Sequence, residues 1–223
     1  MPNFRGMTLT EENYLKVLYR LSLDKHEITV KDIAGQLHIK MPTVNSMIKK
    51  LSEKKLILYE KYKAIEFTEK GKKLALYILR KHRLTELFLK EVMGLGWEEV
   101  HDIAEQLEHI QSDLFFNRID EMLGHPKFDP HGEPIPDING KLPVHKASPL
   151  STCMIGKKYK LSGVLNHETS FLKMLDGMNL SLGSSIEIKE LQPFDRSMVV
   201  VLNGKNKTIF SLPVCQNLLV LNF

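Results

Sequence analysis

From Glu98 to Asn117 the chain carries two histidines and six carboxylates but no Lys or Arg. Exposed helices of globular proteins normally interleave basic residues with their acids. A face of Glu, Asp and His alone repels itself unless a cation neutralises it. The spacing predicts one helix through this stretch. Val100, Ile103, Ala104, Leu107, Ile110 and Leu114 form its core face, and His101, Glu105, Glu108 and His109 share another. A second helical segment, ending at Gly94-Leu95-Gly96, carries His82 and Glu86 four residues apart and so on one side. Neutral imidazoles and ionised carboxylates are ligands for divalent ions. Spacing alone leaves two readings open, a metal site and a solvated polar face.

The amino-terminal part has a different texture. Residues 1–75 hold 15 Lys/Arg against 9 Asp/Glu, whereas residues 98–125 hold one Arg against eight Asp/Glu. That asymmetry suits a polyanion partner for the first unit and a cation for the second. Thr8 or Thr10 can cap a first helix whose apolar face is Tyr14, Leu15, Val17, Leu18 and Leu21. Ile28-Thr29-Val30 reads as a short β-like step. A short helix follows over 31–37, then a turn at 38–41, and Pro42 opens a third helix running from Thr43 to Lys54. This third helix turns Val44, Met47, Ile48 and Leu51 inward. Pro42, Thr43, Asn45, Ser46, Lys49 and Lys50 remain as its DNA-facing set: small polar residues at the start, where base edges lie, then lysines for phosphates. Two short strands at 56–60 and 64–68 flank Lys61-Tyr62-Lys63, a hairpin whose Lys61 and Lys63 can lie along a phosphate backbone. Helix–turn–helix plus hairpin is a winged helix. The bland alternative is an ordinary three-helix core with a basic surface. A long helix opens at Thr68 and runs through His82 towards Val92.

Six of the ten prolines lie between Pro126 and Pro149, which marks an irregular connector. Beyond it, strand-like runs at 158–161, 185–189, 198–202, 208–212 and 218–221 surround one helical piece at 170–175, with a hairpin turn at Asn203-Gly204-Lys205-Asn206. No apolar run approaches the roughly 20 residues that span a bilayer, and the first residues lack the apolar core of a signal peptide. Cys153 and Cys215 make neither a disulfide framework nor a Cys-x-x-Cys site, so a reducing, cytoplasmic setting is expected.

In order and spacing, the winged helix, Arg-Lys-His-Arg-Leu-x-Glu at 80–86 and Val-His-x-x-Ala-Glu-x-Leu-Glu-His at 100–109 resemble the diphtheria-toxin-repressor family of metal-dependent repressors, with its iron- and manganese-responsive branches. The resemblance implies an activating metal site at Asn13, Glu105, Glu108 and His109. Asn13 stands where family members commonly have Asp or Met. Glu105 follows the manganese-type branch, the iron-type branch having Cys there, and Lys16 stands where the manganese branch's two-metal site has a carboxylate. The resemblance also implies an ancillary site at His82, Glu86 and His101. Pro126-Lys127-Phe128-Asp129-Pro130-His131-Gly132 resembles a Cys-Pro-His-Gly motif of streptococcal-type manganese repressors, with Asp129 in place of Cys. Asp129 and His131 become candidate ligands, beside the reading of a Pro-fixed turn. The run Leu-Asp-Gly-Met-Asn-Leu-Ser-Leu-Gly at 175–183 resembles a FeoA-like module. In some relatives this module supplies extra metal ligands, which makes His167 and Glu168 candidates by location, beside the favoured reading of a solvated loop.

The expected fold is α+β: a winged helix–turn–helix DNA-binding domain at 1–75, an all-helical metal-binding and dimerisation domain at 76–140, a linker at 141–152, and a small SH3-like β-barrel at 153–223. The expected function is a homodimeric repressor of metal-homeostasis genes, activated by Mn(II) in preference to Fe(II), with double-stranded operator DNA as partner and no membrane. Phe115, Phe116, Ile119 and Leu123 are suited to the dimer contact, as they are to packing within the chain. The alternative is a winged-helix regulator of a small organic ligand or oxidant, with the His/Glu cluster only structural. An enzyme is disfavoured: 101–105 is not His-Glu-x-x-His, and no other catalytic groups converge.

Overall fold

The computed structural model describes residues 6–61, 63–144 and 146–223. Residues 1–5 and Tyr62, at the centre of the hairpin tip, lie outside the described residues. Thr8 caps α1 (Leu9–Asp24) in a reciprocal capping box with Glu11. A second box, Thr29 with Asp32, starts α2 (Val30–Leu37). The expected β-like step at 28–30 is therefore corrected: Val30 is the first helical residue, because the Thr29 side chain satisfies the Asp32 amide. Thr29, the cap, stays extended at φ −111° and ψ 162°, and the Ile28 carbonyl accepts from the Ile65 amide at 2.9 Å. The third helix, α3 (Met41–Glu53), begins two residues before Thr43, with Pro42 in its first turn, where a missing N–H costs nothing. The wing is a minimal pair, β1 (Ile57–Leu58) and β2 (Glu66–Phe67), antiparallel with Ile57 opposite Phe67.

The longest helix, α4 (Glu69–Glu91), starts at Thr68, whose hydroxyl accepts from the Gly71 amide. Gly71 is required there: a Cβ would sit 1.8 Å from the Leu56 carbonyl oxygen, so the helix approaches β1 through a missing side chain. The amino-terminal half of α4 closes the first core, packing Leu74, Ala75, Ile78 and Leu79 against Leu15, Leu18, Ile48 and Leu51. Fully burying each such Leu or Ile contributes about 1.5–3 kcal/mol. The boundary expected between residues 75 and 76 thus falls inside one unbroken helix, which carries the winged-helix core directly into the helical unit.

The single helix expected through 98–117 is two. α5 (Val100–Leu107) stops at Glu108, and α6 (Asp113–Met122) restarts from Ser112, whose hydroxyl accepts from the Phe115 amide. The break has a cause in α1: Glu12 holds both His109 and Gln111 and draws the segment out of the helical path. Ile110 and Leu114, assigned to the core face, are consequently 36% and 70% exposed. Phe116 and Ile119 pack on Leu84 within the chain.

After the connector come β3 (Ser148–Pro149), a 3₁₀ turn at Leu150–Thr152, β4 (Lys158–Val164), α7 (Thr169–Gly177), β5 (Ser185–Leu191), β6 (Met198–Leu202), β7 (Asn206–Phe210), α8 (Leu212–Asn217) and β8 (Leu218–Asn222). The strands form one six-stranded antiparallel sheet in the order β3-β8-β4-β5-β6-β7. Asn203 and Gly204 turn the β6–β7 hairpin with left-handed backbone, φ 49° and 71°. Leu212, expected at the end of a strand, instead opens α8, because Pro213 cannot donate to a sheet ladder but suits a first helical turn. Trp97, from the α4–α5 connection, is buried in the core of this last unit and ties it to the helical one. Among the described residues no helix is long and apolar enough to cross a membrane.

Candidate metal centre and nucleic-acid interface

Helix α4 places His82 and Glu86 on one buried side, and α5 lies against it. His82, 1% exposed, sits between two carboxylates: Nδ1 is 2.6 Å from Glu108 Oε2 and Nε2 is 3.0 Å from Glu86 Oε1. Burial works against a charge on this ring, but Glu86 and Glu108 outweigh it, and its pKa rises to about 9. Glu86 Oε1 also meets His101 Nδ1 at 3.0 Å, and Glu86 Oε2 faces His131 Nδ1 at 3.9 Å. Three donor groups therefore share members: His82, Glu105 and Glu108; His82, Glu86 and His101; Glu86, Asp129 and His131.

His109 does not join the Glu105–Glu108 group. Its Nδ1 is held by Glu12 Oε2 at 2.7 Å, and its Nε2 lies 3.8 Å from Glu108 Oε1. A carboxylate on one imidazole nitrogen fixes the tautomer and leaves the other nitrogen as a ligand, the arrangement common around metal-bound histidine. Lys16 enters from α1, its ammonium 2.5 Å from Glu105 Oε1 and 2.7 Å from Glu108 Oε1. Asn13, half-buried, lies between Glu12 and Lys16 in sequence and shares a helix face with Lys16.

The connector delivers the remaining donors. Asp129 Oδ1 accepts from the amides of His131 and Glu133, closing a tight turn. His131 Nε2 donates to the Trp97 carbonyl at 2.8 Å, which leaves its Nδ1 facing Glu86. Gly132 makes this placement workable. Its φ is +86°, and a Cβ would lie 2.1 Å from the Ser162 carbonyl oxygen, so the turn docks on β4 only with glycine. Asp129 is pushed up to about 7 by burial and by the nearby Glu86 and Glu133.

Whether these residues fit a cation is answered by their unmet polar atoms. Among the described residues, Asn13 Oδ1, Asp129 Oδ2 and His131 Nδ1 are buried and have no hydrogen-bond partner. Nearly every buried polar atom in a folded protein finds one. That three expected ligand residues each carry an unmet atom fits a bound divalent ion. His167, expected in a solvated loop, is instead packed on the His131 ring with centroids 4.6 Å apart, and burial lowers its pKa. No sequence spacing announces this, because the contact crosses from the sheet unit to the connector. Glu168 is exposed, as expected. Glu12, in the first turn of α1, is a further functional residue, and its only signal in the sequence is that of an acid favoured by the helix dipole.

On the other side of the first unit, Pro42, Thr43, Ser46, Lys49 and Lys50 are exposed on α3, as are Lys61 and Lys63 on the wing. Asn45 is half-buried and its Oδ1 accepts from the Tyr59 hydroxyl, pinning helix to wing. The Ser46 hydroxyl donates to the Pro42 carbonyl. Lys50 is paired with Glu11 at 3.1 Å, and Lys63 with Glu60 at 2.5 Å.

Comparison with known proteins matches three stretches in order. Residues 7–65 match the iron-dependent repressor N-terminal DNA-binding domain, 68–137 the iron-dependent repressor metal-binding and dimerisation domain, and 148–220 the FeoA domain. The chain belongs to the iron-dependent repressor family. Among family members, the iron-dependent repressor IdeR of Mycobacterium tuberculosis is 36% identical over 129 residues, 58% of this chain and 56% of that protein. The chain thus spans little more than half the length of those relatives in the alignment. The diphtheria toxin repressor of Corynebacterium glutamicum is 27% identical over 208 residues, 88% of this chain and 90% of that protein. Among solved structures, a manganese-dependent transcriptional repressor in complex with manganese superposes with TM-score 0.86 at 30% identity, over 96% of this chain and 100% of the other. ScaR with bound Zn²⁺ superposes with TM-score 0.74 at 34% identity, over 96% and 99%. The α+β architecture of this member, winged helix, helical unit and FeoA-type sheet, is the family's.

Proposed function

We propose that this chain is a metal-dependent transcriptional repressor, cytoplasmic and homodimeric. It binds palindromic operator DNA when loaded with Mn(II) or Fe(II) and controls genes of metal uptake and homeostasis. The observation that carries the reading is the position of α1, which packs in the DNA-binding core while sending Glu12 to His109 and Lys16 to Glu105 and Glu108. Asn13, Glu105, Glu108 and His109 are the proposed activating ligands. His82, Glu86, His101, Asp129 and His131 make the ancillary set. A divalent ion would supply positive charge to these carboxylates and a Lewis acid to their imidazoles. Oxygen and imidazole donors without thiolate favour Mn(II) and accept Fe(II).

The chain's own residues do the coupling. Glu12 orients His109, Asn13 presents an unmet carbonyl oxygen, and both lie on the helix whose Glu11 pairs with Lys50 and Lys54 at the end of α3. The exposed apolar residues Leu114, Phe115 and Met122 of α6 supply the dimer contact, while Phe116 and Ile119 serve the chain's own core. In the dimer two α3 helices present Thr43, Asn45 and Ser46 to base edges and Lys49, Lys50, Lys61 and Lys63 to phosphates of half-sites about one or more helical turns apart. The small-ligand alternative has weaker support. A cavity of about 570 Å³ beside Arg80 and Asp120 is lined by no Phe, Tyr or Trp. Burial raises both thiols, Cys215 to about 11, which argues against an oxidant sensor.

The test is a titration of promoter fragments from the source genome at fixed salt, first with chelator and then with Mn²⁺, anaerobic Fe²⁺ or Zn²⁺. Binding that appears only with metal supports the switch. Equal binding with chelator would leave a DNA-binding protein whose His/Glu cluster is structural.

A further inference from the structure

Lys16 is an unusual residue to find in a cluster of cation ligands. It is 2% exposed, and its ammonium lies within 2.7 Å of one oxygen on each of Glu105 and Glu108, residues 89 and 92 positions away. Taking an ammonium out of water is expensive and persists where opposite charge and hydrogen bonds compensate it. Here, among the described residues, its hydrogen bonds go to two carboxylates that, with His82, form a group of metal-ligating geometry. Glu108 is itself fully buried, and on its Oε1 side the Lys16 ammonium at 2.7 Å is far nearer than the His109 ring at 3.8 Å, while His82 holds Oε2. The ammonium therefore does for this carboxylate pair what a metal ion would, and it does so from the DNA-binding unit's first helix.

We propose that Lys16 is a built-in cation of the metal centre. In the metal-free chain it braces α1 against the α5 segment by neutralising Glu105 and Glu108. It is also the fixed positive charge that a divalent ion must share those oxygens with or displace. Lys16 thereby sets the metal affinity of the site and how far α1 is already docked before loading. The inference rests on the reading of Glu105 and Glu108 as metal ligands, and it separates two effects that an ordinary structural lysine would keep together. Removing a merely structural ion pair weakens both the fold and the ligand site. Removing a competing cation weakens the metal-free fold but strengthens metal binding.

The experiment uses the full chain, stripped with chelator and dialysed, in three forms: wild type, Lys16→Met and Lys16→Arg. Each is melted in chelator and titrated with Mn²⁺ by calorimetry. Lys16→Met is expected to melt roughly 5 °C or more below wild type and to bind Mn²⁺ about tenfold tighter or more, since a like charge at contact distance has been removed. Lys16→Arg keeps the charge and is expected to keep both the melting temperature and the weaker affinity. It also serves if the methionine variant does not fold, because a bulkier cation that left affinity tighter than wild type would overturn the proposal. Unchanged or weaker Mn²⁺ affinity in a folded Lys16→Met, with wild type binding normally, would overturn the role of Lys16 alone. A wild-type chain that takes up no Mn²⁺ would instead withdraw the metal-centre reading, and this inference with it.

Discussion

The metal-free chain should lose stability as pH rises from 6.5 to 9. The group responsible is His82, whose ring is buried between Glu86 and Glu108. Its pKa moves from 6.5 to about 9 because, against the cost of burial, those two carboxylates favour the imidazolium. A pKa raised in the folded state means that the folded chain holds more protons than the unfolded one between the two values. The stabilisation is thus complete below 6.5 and lost as pH climbs through 9. At about 1.4 kcal/mol per pKa unit, this amounts to about 3 kcal/mol. His131, also raised because Glu86 outweighs its burial, acts in the same direction. Asp129, raised to about 7, contributes its own loss mainly below this window. For a chain of this size 1 kcal/mol corresponds to roughly 2–4 °C, so melting in chelator should fall by roughly 6–12 °C between pH 6.5 and 9. Scanning calorimetry or circular dichroism would measure it. Manganese affinity should rise across the same interval, because a ligating imidazole must be neutral. A melting temperature that stays level or climbs with pH in chelator would refute the placement of a charged His82 between the two carboxylates.

Glu108→Gln should weaken metal-dependent operator binding at least tenfold while the chain still folds, since a neutral amide is a poor ligand and only one of its two ends can accept from Lys16 or His82; unchanged metal activation would remove Glu108 from the site. Lys49→Ala should lower affinity for all DNA sequences alike and reduce the salt slope by about one; an effect confined to one base position would make Lys49 a base reader. Gly132→Ala should cost about 2–4 kcal/mol, from a Cβ driven into the Ser162 carbonyl and a left-handed φ, and thermal melting with metal present would detect a neutral substitution that disproves the tight docking.

The winged helix was readable because each of its elements carries its own signal: capping Thr residues, apolar spacing, Pro42 in a first turn, a basic hairpin. Those signals are local, and the structure keeps them with shifts of one or two residues. His101, Glu105 and Glu108 stand out as candidate ligands because residue type and the absence of Lys and Arg from 98 to 117 restrict what such a face can do, and His82 and Glu86 because their four-residue spacing puts them on one side of a helix. What failed was geometry set by distant parts of the chain. Helical periodicity through 98–117 assigns Ile110 and Leu114 to the core, yet the helix breaks at Glu108, where Glu12 holds His109 and Gln111 from α1. His167 looked solvated because its neighbour His131 is 36 positions away and belongs to another unit. Tertiary contacts of this kind leave no period in the sequence.

Helix α1 is where metal and DNA readings meet, and its first turn shows how. Two adjacent acids point to different parts of the molecule. Glu11 pairs with Lys50 and Lys54 at the end of α3, at 3.1 and 2.7 Å, and is held below the usual carboxylate range because those lysines and the Thr8 amide outweigh its burial. Glu12 reaches the other way, to His109 and Gln111. A rotation of α1 that improves one set of contacts must therefore act on the other, since both carboxylates leave the same helical turn. In the proposed function, whatever orders His109 would also bias Lys50 and Lys54, and DNA that engaged Lys50 would compete with Glu11 for it. Linkage requires the two effects to be equal: a given gain in operator affinity on metal loading is the same gain in metal affinity on operator binding. In the proposed switch the two sets of contacts meet in the first turn of α1, so the coupling would pass through Glu11 and Glu12 as well as through the ligands.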